Sequence, residues 1–172
     1  MTPSLSKEAG FFMAEVTIIT GGARSGKSSF AESLAMKRGE PLLYIATAGF
    51  GDREMSERIA RHQERRGAAW QTIEEQYDLV GVLQGHDGWF KATLVDCVTL
   101  WLTNLLLKLE DKTAVLGEVR RTVSTFHALK TPLILVSNEV GMGIIPDNPL
   151  ARTFCDLSGE ANEILATAAD EV

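Results

Sequence analysis

Cysteine is scarce in the 172-residue sequence: Cys97 and Cys155 stand far apart, with no Cys-x-x-Cys pair. That excludes a disulfide-stapled framework and gives no sign of a thiolate metal site. Cys97 lies inside an apolar run and is expected to be a buried core thiol. No run of about 18 apolar residues occurs, so no membrane-spanning helix is expected. Positive charge is short, 17 Lys and Arg against 23 Asp and Glu, for a net charge of −6. A nucleic-acid binder working through a bulk positive field is therefore not expected. No Asn-Lys-x-Asp occurs, so the guanine-reading motif of switch GTPases is missing. The first residues lack the basic region and apolar stretch of a signal peptide, and a cytoplasmic location with reduced thiols is the default. What remains, 45% hydrophobic and 23% charged residues, is the composition of one soluble globular domain.

The pattern along the chain alternates strand with helix. Residues 1–14 resemble a loose leader, with Met13 a candidate start, and 15–172 a single domain. Strands are expected at Glu15–Thr20, Pro41–Ala46, Trp70–Ile73, Ala92–Val98 and Pro132–Val136. Helices are expected at Ser29–Arg38, Asp52–Arg66, Tyr77–Leu83, Leu100–Leu109, Thr113–Leu129 and from Pro149 to about Ala169, the last opened by Asn148 and Pro149. Strands apolar throughout, such as PLLYIA, suit a parallel sheet buried on both faces. The fold class is thus α/β, with ligands expected at the carboxyl ends of the strands.

Gly21-Gly22-Ala23-Arg24-Ser25-Gly26-Lys27-Ser28 fits GxxxxGK[ST], the phosphate loop, with a strand before it and a helix after it. Its glycines let backbone N–H groups converge on phosphate, the helix N-terminus adds partial positive charge, Lys27 adds a point charge, and Ser28 offers a hydroxyl to Mg²⁺. Asp96 ends an apolar strand, where a carboxylate needs a partner. It serves either as a Mg²⁺ ligand or as the cap of the next helix. His62, in RIARHQERR, is either a solvated histidine on a charged helix or a nucleophile flanked by phosphate-binding arginines. His86 and His127 are read as structural or surface groups. Ser137–Gly143, following a strand, is a binding loop or a connector.

Five blocks in order carry a resemblance: TGGARSGKS, YIATA, EMSERIARHQERR, DCVTLWLTNLL and SNEVGMGIIPDNPLAR, with the ending ANEILATAADEV. Together they resemble the bifunctional adenosylcobinamide kinase and adenosylcobinamide-phosphate guanylyltransferase family of cobalamin biosynthesis, from about Val16 to Val172. The resemblance implies a three-layer, RecA-like P-loop NTPase fold, with a mostly parallel sheet and helices on both faces. It implies phosphorylation of adenosylcobinamide by ATP or GTP, then transfer of GMP from GTP through a guanylylated histidine to adenosylcobinamide phosphate, with release of pyrophosphate. The matching histidine is His62. By the same likeness Ala46, Thr47, Ala48, Gln63, Glu64, Arg65, Arg66, Glu74 and Asp96 would contact the guanine nucleotide or its metal, and the chain would form a homotrimer. The alternatives are a P-loop small-molecule kinase without guanylyl transfer, and a nucleotide-binding regulatory module. Two departures stand out: Asp96 replaces a Glu found in some members, and the family continues into one more edge strand after the ADEV block, so that strand is expected to be missing here.

Overall fold

The computed structural model describes residues 14–48, 67–143 and 145–172. In chain order the described elements are β1 (Val16–Gly21), α1 (Lys27–Met36), β2 (Leu42–Ala46), β3 (Trp70–Glu74), α2 (Leu79–Gly85), β4 (Ala92–Asp96), α3 (Val98–Leu109), α4 (Lys112–Val123), β5 (Leu133–Asn138) and α5 (Pro149–Ala168). The helix expected at Asp52–Arg66 lies outside the described residues.

The five strands form one parallel sheet in the order β1-β5-β4-β2-β3. Side chains alternate across it with the strand period of two. Leu43, Ile45, Val95, Leu133 and Leu135 point to one face and meet Leu79, Leu102, Val115 and Leu157 of the surrounding helices. Leu42, Tyr44, Leu94, Ile134 and Val136 point to the other, where Ala31 and Ala35 of α1 pack on them. Helices on both faces leave no strand of the centre exposed to water, which is why β2 and β4 are apolar along almost their whole length.

Several boundaries shift by a residue or two from the sequence expectation, and three departures have a local reason. Helix α1 begins at Lys27, two residues early, because Gly26 takes a left-handed conformation (φ 88°) and turns the chain straight into the first turn. Strand β5 runs to Asn138, because Ser137 and Asn138 pair with Thr20 and Gly21 of β1. The long helix expected over Thr113–Leu129 stops at Val123. The hydroxyls of Thr122, Ser124 and Thr125 each bond back to a carbonyl three or four residues earlier, the competition that makes such residues poor helix interiors. A short 3₁₀ turn, Phe126–Ala128, then keeps Phe126 in the core.

Both ends of the described chain are anchored. Ala14, expected in the leader, is buried, and its N–H donates to Leu129 O. Beyond α5, the N–H groups of Asp170 and Glu171 donate to Val16 O, and Ile18 N–H donates to Glu171 O. Thr17 and Glu171 thereby form a parallel bridge on the outer edge of β1.

Candidate nucleotide site

All strands point the same way, so their carboxyl ends share one edge. Residues 21–28 lie there between β1 and α1. Gly22 to Gly26 are exposed, and Arg24 also takes a left-handed conformation (φ 58°). Among the described residues no side chain caps α1, and no acidic residue lies in its first turn. The first N–H groups of a helix have no partner within it. Here they open onto the loop with the positive end of the helix dipole, an arrangement that takes phosphate. Lys27 is only 8% exposed. Its Nζ reaches back across the loop, donating to Gly22 O at 2.6 Å and lying 3.4 Å from Ser25 Oγ. Ser28 is half-buried in the first helical turn, and its hydroxyl makes no hydrogen bond among the described residues.

Strand β5 separates the loop strand from Asp96. Asp96 closes β4 in register with Val136 on one side and Ala46 on the other. It shares the α1 side of the sheet with Ala92 and Leu94, by the same alternation. The residue at the cap position of α3 is Cys97, and the Asp96 side chain makes no cap hydrogen bond to the helix. The capping alternative for Asp96 is therefore set aside. Asp96 Oδ2 accepts a hydrogen bond from the Tyr44 hydroxyl at 2.9 Å, and Oδ1 accepts none among the described residues. One carboxylate oxygen and one serine hydroxyl thus have no hydrogen-bond partner among the described residues at the same edge. They are hard oxygen donors, a set that suits Mg²⁺, which keeps several waters and takes one or two protein oxygens beside substrate phosphates. Cys97, next in the chain, is no candidate nucleophile: burial first, and then the neighbouring Asp96 charge, push its thiol up to about 11.

The end of β2 has a different character. Thr47 is fully buried, and its hydroxyl donates to Cys97 O at 2.7 Å while accepting from Cys97 N–H at 2.8 Å. It ties the end of β2 to the start of α3. Ala46 is buried and Ala48 half-buried. Glu74 ends β3 in register with Ala46, exposed, so Glu74 and Asp96 flank Ala46 at one level of the sheet. The loop after β5 is stitched to the phosphate loop, with Glu139 N–H donating to Gly21 O at 2.9 Å. Asn138 N–H donates to Thr99 Oγ1 at 2.7 Å. His62, Gln63, Glu64, Arg65 and Arg66 lie outside the described residues. His86 lies on the opposite side of the sheet, just before β4, against Trp89 and Phe90. His127 is exposed in the 3₁₀ turn.

Two residues that sequence reading passed over also shape this edge. Tyr44 is the only polar side chain in the β2 run, and it reaches Asp96, 52 positions away. Asn104, a polar residue inside the apolar stripe of α3, donates from Nδ2 to Thr47 O at 2.7 Å and to Gln76 O at 3.5 Å. It fastens the exits of β2 and β3 to one helix. A polar residue within an apolar run was the signal for both.

The family described as cobinamide kinase / cobinamide phosphate guanyltransferase matches residues 17–172. The bifunctional adenosylcobalamin biosynthesis protein CobP of Pseudomonas aeruginosa is 44% identical over 155 residues, 90% of this chain and 89% of that protein. The CobU protein of the same description from Salmonella typhimurium is 39% identical over 167 residues, 90% of this chain and 92% of that protein. In structure the chain is similar to the RadB recombinase, with a TM-score of 0.50 over 82% of this chain and 71% of that one. At 16% identity this likeness bears on the fold alone, and it agrees with the expected RecA-like, three-layer P-loop architecture. Among the described residues no helix is long and apolar enough to cross a membrane. The chain belongs to the cobinamide kinase / cobinamide phosphate guanyltransferase family.

Proposed function

We propose that this chain performs two transfers at one nucleotide site. It first moves the γ-phosphoryl group of ATP or GTP to the hydroxyl of the aminopropanol arm of adenosylcobinamide. It then moves GMP from GTP to the resulting phosphate. Membership of the family supports both reactions and disfavours the plain kinase and the regulatory module. The observation that carries the nucleotide reading is the start of α1, which has no side-chain cap among the described residues, with Lys27 beneath it and an Asp96 oxygen that accepts no hydrogen bond among them at the same sheet edge.

In the first transfer the loop N–H groups and Lys27 hold the phosphates, and positioning with charge neutralisation does most of the catalytic work. To take up phosphate, Lys27 must exchange the Gly22 carbonyl for phosphate oxygens. Mg²⁺ held by Ser28 and Asp96 would supply positive charge to the phosphates. In the second transfer the neutral imidazole of His62 attacks the α-phosphorus of GTP. An N–P bond forms, the bond from that phosphorus to its bridging oxygen breaks, and pyrophosphate leaves. An oxygen of adenosylcobinamide phosphate then attacks the same phosphorus. The N–P bond breaks and the imidazole is released. Arg65 and Arg66 flank the phosphates, while Gln63, Glu64, Glu74 and residues 46–48 complete the nucleotide pocket. The reading includes one catalytic domain over residues 15–172, a homotrimer, and a cytoplasmic location.

Labelling tests the division of labour. Wild-type protein given GTP labelled at the α-phosphate should retain label that is labile in acid and stable in alkali, as an N–P bond requires. His62→Ala should take up none, yet still form adenosylcobinamide phosphate from ATP. Label retained by the variant would assign the nucleophile elsewhere. Loss of both readouts from a folded variant would give His62 a part in the phosphoryl step.

A further inference from the structure

Tyr44 stands in the middle of β2, in register with Leu94 of β4, and Asp96 lies one alternation further along the same face. The phenol is 5% exposed. Its ring is held edge-on against Trp70, with centroids 6.1 Å apart at 77°, so the direction of its hydroxyl is set by packing. That hydroxyl donates to Asp96 Oδ2 at 2.9 Å. Oδ1 of the same carboxylate accepts no hydrogen bond among the described residues. A carboxylate at the end of a strand can rotate about its terminal bond. A donor fixed on one oxygen removes that freedom and leaves the other oxygen facing outward.

We propose that Tyr44 is a positioning residue for Asp96, holding one carboxylate oxygen so that the other is presented to the divalent cation of the bound nucleotide. The inference rests on the reading of Asp96 as a metal ligand. Groups that orient a metal-ligating carboxylate typically matter by 10- to 100-fold in metal affinity. The hydroxyl is the active part, while the ring serves the packing against Trp70.

Mn²⁺ bound in the presence of a non-hydrolysable GTP analogue, followed by its electron paramagnetic resonance signal, measures the effect directly. Tyr44→Phe keeps the ring and removes the hydroxyl. It should weaken Mn²⁺ binding on the order of 10-fold, with metal-free binding of the analogue unchanged. Asp96→Asn should weaken Mn²⁺ at least as much, and the double variant should be no weaker than Asp96→Asn alone, because the Tyr44 hydroxyl bears on the metal through Asp96. Trp70→Phe disturbs the packing that directs the hydroxyl but leaves the hydroxyl in place, and should weaken Mn²⁺ binding less than Tyr44→Phe does. Unchanged Mn²⁺ affinity in Tyr44→Phe would overturn the proposal. So would a full further loss when Tyr44→Phe is added to Asp96→Asn, or an equal loss in Trp70→Phe. Unchanged affinity in Asp96→Asn is a separate failure: it would remove Asp96 from the metal site, and the inference with it.

Discussion

Two helices leave loops that follow sheet strands on the carboxyl side, yet their first turns are finished in opposite ways. At α5, Asn148 accepts from the N–H groups of Leu150 and Ala151, at 2.8 and 3.3 Å. Pro149 has no N–H to satisfy. Arg152 donates to the carbonyls of Pro146 and Asp147, closing the approach as well. At α1 the cap position is a glycine without a side chain, and no side-chain cap hydrogen bond is made there among the described residues. Capping is worth about 1 kcal/mol per helix, so leaving it undone is costly unless a ligand completes the turn. The contrast teaches that a binding edge can be recognised by polar groups the fold leaves unspent while it satisfies equivalent groups nearby.

The largest effect that would break this contrast is expected at Lys27. Lys27→Ala should reduce both transfers on the order of 100-fold or more, the scale for loss of one preorganised charge-stabilising donor. Folding, followed by circular dichroism, should hold. Normal kinase turnover in the variant would mean that the two reactions do not share this loop. At α5 the opposite result is expected. Asn148→Ala should lower unfolding stability by about 1 kcal/mol, read from urea midpoints, and leave both transfers near wild type. An activity loss larger than the stability loss would place the α5 start within the site. The smallest effect concerns Asp78, which caps α2 by accepting from Gly81 N–H at 3.1 Å and also pairs with Arg121 at 3.1 Å. The Gly81 N–H first, and Arg121 second, hold its carboxyl below the usual 3.8. A depressed carboxyl contributes its stability in full above the ordinary value and loses it as pH falls through the folded one. The stability gap between wild type and Asp78→Asn should therefore be present at pH 7 and close on acidification below about pH 4. It should remain small, because the ion pair is exposed to solvent. A gap that does not narrow at all as the pH falls below about 4 would assign the effect to something other than this charge.

Much of this was legible in the sequence because the signals are local. The apolar strands, the GxxxxGK[ST] spacing and the Asn148-Pro149 start each reside within a few residues. The identity of Asp96 as something other than a cap was not, since Asp and Cys at positions 96 and 97 are equally placed to precede a helix. Only the backbone decided that Cys97 holds that position. Thr47 shows the same limit from the other side. It sits in the YIATA block as a candidate nucleotide contact, yet its hydroxyl is engaged twice by Cys97, fifty residues on. The end of α4 was hidden because Val115, Val119, Val123 and Phe126 keep a helical spacing through a stretch where hydroxyl back-bonding has already ended the helix. Periodicity reports which residues are buried, and a 3₁₀ turn can bury Phe126 as well as a helix can.

The placement of β5 between β1 and β4 has a consequence for synthesis. Residues 16–28 and 92–96 leave the ribosome early, and each carries its motif complete. They cannot be brought to their working separation until residues 133–138 emerge to pair with both strands at once. Until then a nascent chain displays two apolar strands whose inner edges have no partner, the condition that invites mispairing and calls for chaperones. A ribosome-arrested series should therefore gain nucleotide binding in one step as β5 clears the exit tunnel, not gradually with length.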